Sequence, residues 1–131
     1  RVKTSIDGKP CYEGPIQSLF VLNGRYNAGG ACWDSDANPW DGSATLLALH
    51  RAGPFGDLIQ TSTVATGNFQ QGAPGAHLFR GRVIELELLD EHHHPLLELD
   101  GDLQGPSGRE GEMLKKIRWE VLPGVVSLCS D

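Results

Sequence analysis

With 131 residues, 39% of them hydrophobic and 21% charged, the chain has room for one moderate core and little more. Its net charge of −6 argues against a general nucleic-acid surface and against electrostatic binding to an anionic membrane, both of which need clustered Lys and Arg. No apolar run approaches the ~18–20 residues that span a bilayer, and no signal-peptide pattern opens the sequence.

The chain begins at Arg1 rather than Met and runs straight into strand-like sequence, as expected of a domain cut from something longer. Val2, Thr4 and Ile6 alternate with polar residues, and Asp7-Gly8 reads as a turn. Residues 16–22 (IQSLFVL) form a continuous apolar strand expected to be buried on both faces, and 43–49 (SATLLAL) form another. Stretch 54–67 is two-sided. Phe55, Leu58, Ile59 and Ser62 share a helical face, whereas TSTVAT is β-branched and suits a strand. The spacing predicts a short helix from about 56 to 63.

Residues 82–89 alternate, with Ile84, Leu86 and Leu88 inward and Glu85 and Glu87 outward. Residues 96–100 are expected to return as the hairpin partner of that strand, across the loop DEHHHP. Ile117, Trp119 and Val121 share one face of a strand at 116–122, and 125–129 (VVSLC) follows Pro123-Gly124 as the last strand. Glycine (17) and proline (8) are spread between these runs, as many short strands with turns require. The expectation is an all-β, mainly antiparallel domain spanning 1–131. It is a two-layer β-sandwich of about eight strands with at most one short helix.

Cys11, Cys32 and Cys129 are scattered without a CxxC pair, so free thiols in a reducing cytosol are expected rather than a zinc site. Lys115, Lys116 and Arg118, and the smaller pair Arg80 and Arg82, read as solvated strand faces. His92, His93 and His94 point in divergent directions and read as a solvated loop. There is no Walker A loop, no GxGxxG and no visible Ser or Cys nucleophile motif.

Two acidic stretches carry candidate chemistry. DSDANPWDGS at 34–43 offers the oxygens of Asp34, Asp36, Asn38 and Asp41, of the kind Mg²⁺ and Ca²⁺ prefer. It is not an EF-hand loop, because Pro39 stands where that loop needs glycine and Thr45 where it needs Glu. A solvated loop and a metal site both remain open. LLELDGDLQGP at 96–106 ends a strand on two aspartates flanking one glycine, which is either a tight turn or a pair of carboxylates placed for chemistry.

Taken in order, the motifs resemble the second domain of the diacylglycerol kinase / sphingosine kinase-like lipid kinases. That family carries an NGxxxGGG stretch, an aspartate-glycine before an apolar strand, a basic strand leading to a DGE element, and a proline-glycine close. Here the counterparts are Asn23-Gly24 with Gly29-Gly30, Asp41-Gly42, Arg80–Leu89, Asp100-Gly101-Asp102, and Leu122-Pro123-Gly124-Val125. The resemblance covers nearly the whole chain.

It implies a two-domain enzyme whose N-terminal α/β domain, absent from this chain, holds ATP with a GGDGT motif. The active site lies in the cleft between that domain and a C-terminal β-sandwich. By resemblance, Asp100 is the general base on the lipid hydroxyl, Asp102 its support, and Asp41 a metal-binding aspartate with Asn38 and Ser43 beside it. The implied cation is Mg²⁺ or Ca²⁺. The implied partners are a lipid and the N-terminal kinase domain, with a cytoplasmic location and at most peripheral contact with the inner membrane face. Nucleic acid is not among the implied partners, and exposed sheet edges leave pairing with a second copy open. The sequence departs from the family at Asp102, where Glu is usual, at Ser43, where an aliphatic residue is usual, and at 34–37, where the usual proline is replaced. Like charges from Glu85 and Glu87 across the expected hairpin would raise the Asp100 pKa.

Overall fold

The computed structural model describes residues 1–27, 30–65, 73–90, 97–99, 102–104 and 115–124. The architecture is all-β and mainly antiparallel, with two principal sheets, two short ribbons and one helix among the described residues. Strands β1 (Val2–Ile6), β2 (Lys9–Gly14), β8 (Val83–Leu88) and β11 (Lys116–Glu120) form one sheet in the order β11-β8-β1-β2. Strands β3 (Ser18–Leu22), β6 (Ala44–Leu49) and β7 (Ala76–Gly81) form the other in the order β3-β6-β7. The ribbons are β4 (Tyr26–Asn27) with β5 (Ala31–Cys32), and β9 (Leu97–Leu99) with β10 (Asp102–Gln104).

Period-two patterning builds the core as the sequence leads one to expect. Ile6, Ile84, Ala44 and Leu46 meet between the sheets, joined by Val21, Phe79 and Trp119. Leu46 and Ile84 are fully buried, each stabilising the fold by about 1.5–3 kcal/mol. Central β6 is buried on both faces, with Leu47 and Leu49 packing away from that core against Phe20, Trp33 and Leu78. Strand β3, expected to be equally buried, lies at the edge of its sheet and is mostly half-buried.

Asp7-Gly8 closes the β1–β2 hairpin with both residues at positive φ (50° and 76°), the mirror-image turn that matches strand twist. The Asp7 carboxylate then accepts hydrogen bonds from the N–H groups of Arg82 (3.0 Å) and Val83 (2.9 Å), fastening the hairpin to the β7–β8 corner. Gly81 makes that approach possible, since a Cβ there would overlap Ile6 Cγ2 and lie 2.6 Å from Asp7 Oδ2. Gly81→Ala should therefore cost about 2–3 kcal/mol, seen as a fall in thermal midpoint of roughly 5–10 °C. Gly24→Ala, where a Cβ meets nothing within 4 Å, should stay within about 0.5 kcal/mol of the parent.

Helix α1 (Gly53–Ala65) is longer than the 56–63 expected. Pro54 lies in its first turn, where its fixed φ and missing N–H are tolerated. Its β-branched end is accommodated because Ser62 and Thr63 donate their hydroxyls to the carbonyls of Ile59 and Gln60. Phe55, Leu58 and Ile59 do share a helical face, and that face is turned to solvent: Phe55 is 84% exposed, and Leu58 and Ile59 are exposed as well. The helix packs beside β5, and its first turn lies close to neighbouring loop residues. Gly56 sits against Ala52 and Pro74, with no room for a Cβ beside Ala52.

Strand β8 has β1 and β11 as its neighbours, so the expected hairpin between 82–89 and 96–100 does not form. Both hydrogen-bonding edges of β8 are already used. Glu87 lies across from Lys116 (3.2 Å), and Glu85 accepts from Ser5 (2.9 Å) and faces Arg118 (3.9 Å). These carboxylates are thus paired within their own sheet, whereas Asp100, the group they are expected to act on, lies outside the described residues. The Lys116–Arg118 patch is a cross-strand charge ladder on the outer face, each pair worth little on an exposed sheet. Cys11 and Cys32 are free thiols. No helix among the described residues is long and apolar enough to cross a membrane. The strand expected at 125–129, Cys129 and His92–His94 lie outside the described residues.

Candidate functional site

The loop between β5 and β6 takes its order from a run of aspartate and asparagine side chains. Asp34 Oδ1 accepts the N–H of Asp36 (3.1 Å), Asn38 Oδ1 that of Trp40 (3.1 Å), and Asp41 Oδ1 that of Ser43 (2.8 Å). Each closes a side-chain turn two residues long, the habit that makes these residues turn formers. Ser43 adds its hydroxyl to Asp41 Oδ1 at 2.7 Å.

Asp34 anchors the loop. Its side chain is buried, 4% exposed for the residue as a whole, and it accepts from Arg80 Nη2 (2.6 Å), Arg80 Nε (3.2 Å) and the Thr45 hydroxyl (2.5 Å). Arg80 on β7 therefore grips one carboxylate through two nitrogens, the geometry in which a guanidinium binds most strongly. Arg80 is exposed, as the reading of a solvated face expects, and adds to that reading a partner it did not name. It also takes Asp34 out of the candidate cation donors, because both of its oxygens are engaged. Burial pushes the Asp34 carboxyl up, but the bonds from Arg80, Thr45 and Asp36 outweigh it and hold the pKa below the ordinary aspartate value.

Asp41 differs. It is exposed, and the Ser43 hydroxyl and N–H hold its carboxyl below the ordinary value, so it stays ionised. The side-chain oxygens of Asn38 and Asp41 that bond within the loop shape the loop itself. Among the described residues, no three His, Cys, Asp or Glu side chains gather as a metal cluster would.

Two other sequence motifs lie beside this loop. Arg25, two residues after Asn23, donates from Nε to the Ala37 carbonyl (3.3 Å), and its own carbonyl accepts the N–H of Trp33 (3.0 Å). At the other end, a Cβ built on Gly42 would lie 3.7 Å from Pro123 Cβ. The Asn23-Gly24 stretch, the Asp41-Gly42 loop and the Pro123-Gly124 turn thus share one end of the sandwich. Trp40, 72% exposed, projects from the same loop.

The remaining candidates stand apart in what can be described. Asp102 opens β10 opposite Leu99 of β9, so the chain reverses between the two strands. Asp100 and Gly101 lie outside the described residues.

Sequence reasoning missed Arg80 and Thr45 as partners of Asp34. The two are 46 and 11 residues from that aspartate along the chain, and no local spacing links them. It also missed His50 and His77, whose rings stack at 5.3 Å. No protein-family model matches this chain, and no curated protein matches it in sequence.

Proposed function

We propose that this chain is the C-terminal β-domain of an ATP-dependent lipid kinase of the diacylglycerol/sphingosine type, inactive alone and working against an α/β domain that holds the nucleotide. Phosphoryl transfer asks little covalent chemistry of a protein. It asks for a carboxylate to take the hydroxyl proton and a cation to neutralise phosphate charge. In this reading Asp100 is the base, Asp102 supports it, and the loop of Asn38, Asp41 and Ser43 borders the cation.

The observation that carries the reading is the convergence of three motifs, far apart in sequence, on one end of a two-sheet β domain. What the loop leaves for a hard cation such as Mg²⁺ or Ca²⁺ is one exposed carboxylate, that of Asp41. Asp41 is ionised and exposed, and because its Oδ1 and Asn38 Oδ1 serve the loop, an ion would take the second Asp41 oxygen with backbone carbonyls. Bound there, the cation supplies charge neutralisation at the transferred phosphoryl group.

The test is ³²P transfer from ATP to diacylglycerol or sphingosine in mixed micelles, using the polypeptide with the sequence encoded upstream of Arg1. Phosphorylated lipid, with a GGDGT-bearing segment upstream, is the expected result. Absence of both would overturn the reading.

The ionised, exposed Asp41 also favours a second reading, a stand-alone β-sandwich module with a Ca²⁺ or Mg²⁺ site at 34–43. A cation at tenfold its Kd should raise the thermal midpoint by roughly 3–6 °C, an effect lost in Asp41→Ala. No shift at millimolar Mg²⁺ or Ca²⁺ would remove the metal from both readings.

A further inference from the structure

We propose that the His50–His77 stack is an acid-sensitive latch that holds helix α1 to the sandwich when neutral and releases it when His77 takes up a proton.

The pair lies at the far end of β6 and β7 from the 34–43 loop. His77 on β7 is half-buried among three rings: Tyr12 at 5.0 Å, His50 at 5.3 Å and Phe79 at 6.4 Å between centroids. The two imidazoles are nearly parallel, at 21°. His50 Nδ1 is buried and has no hydrogen-bond partner among the described residues.

His50 also ties three segments together through its backbone. Its N–H donates to the Gly75 carbonyl (2.9 Å), and its carbonyl accepts from Gln60 Nε2 of α1 (3.4 Å). Gln60 bonds the Pro74 carbonyl as well. The approach is close: a Cβ on Gly75 would lie 2.5 Å from the His50 carbonyl and 2.6 Å from Gln60 Nε2. Helix α1 leaves Phe55, Leu58 and Ile59 exposed and packs beside β5, and this corner fastens it at Gln60.

A proton on His77 puts a cation against a stacked imidazole in a site with restricted water. Tyr12 and Phe79 would attract that cation through their ring faces, but burial first, and His50 second, hold the His77 pKa below the ordinary histidine value. The groups facing the pair are few. From β2 comes Tyr12, whose hydroxyl is given to the Pro15 carbonyl. From α1 comes Gln60, an uncharged amide; Asp57, three residues before it on the helix, accepts the N–H of Ala52. Arg51, next to His50 in the chain, is exposed.

The sign follows directly. With the folded value depressed, the unfolded or opened form binds more protons. Stability of the corner therefore falls as pH drops through the ordinary histidine range and levels off below the folded pKa. A segment held by few contacts opens first.

Hydrogen exchange on the full chain between about pH 7.5 and pH 5.5, corrected for intrinsic rates, tests this. Protection of 53–65 should fall by up to about tenfold per pH unit, while 44–49 changes less than about twofold. His77→Phe, which keeps the stack and removes the titration, should make α1 protection pH-independent, and His77→Gln serves the same purpose if the ring variant does not fold. Unchanged α1 protection in the parent, or the same pH dependence in the non-titrating variant, would overturn the proposal.

Discussion

Asp34→Ala should lower stability by about 2–4 kcal/mol, more than any other single change to the 34–43 loop. The reason is asymmetry. Removing the carboxylate leaves the Arg80 guanidinium facing a site shaped for an anion, and strands the hydroxyl of buried Thr45. Arg80's side chain is 38% exposed, so water recovers part of its loss and the cost falls below that of a wholly buried pair. Asp34→Asn keeps an oxygen for Thr45 or the Asp36 N–H and should cost roughly half as much. Arg80→Lys, which offers a point charge instead of a fork, should fall between the two. Urea denaturation with the slope unchanged is the measurement that checks this series.

The same anchor gives the loop a pH dependence of known sign. The folded Asp34 pKa is depressed, so its contribution is fully present above the ordinary aspartate value near 3.8 and is lost as pH falls through the folded value. Acid titration of Asp34→Asn should lack that component. The His77 effect runs through a separate, higher window, so the two can be resolved in one titration.

Fold class was legible because period-two patterning is a local property. Val2, Thr4 and Ile6, then Ile84 and Leu86, then Ile117 and Trp119 name their inward faces in sequence order. Pairing was not legible. Nothing in 82–100 says that β8 has both edges occupied by β1 and β11, one of them more than 80 residues away in the chain. The helix shows the same limit from the other side. Phe55, Leu58 and Ile59 have helical spacing and do lie on a helix, yet they face solvent while the helix packs beside β5, a neighbour that no local spacing names. At the candidate site, the turn-forming habit of Asp34, Asn38 and Asp41 could be read locally. The arginine that organises them could not.

If Asp100 is the general base proposed above, Asp100→Asn carries the largest expected effect on activity. A general base contributes about 10²–10⁴ to the rate, so the amide should lower kcat by that factor, with KM for ATP little changed. The amide is isosteric with the carboxylate, so the thermal midpoint should move by no more than about 2 °C. Asp102→Glu, which restores the longer reach usual in the lipid kinases, should keep activity within about tenfold of the parent, and Asp102→Ala should lose more.

The decisive measurement is lipid phosphorylation by the complete polypeptide, parent and Asp100→Asn side by side at matched thermal midpoints. A lipid kinase β-domain predicts turnover in the parent and a loss of at least about a hundredfold in the variant. Equal turnover in the two, or no transfer to any lipid hydroxyl by the parent, would contradict it.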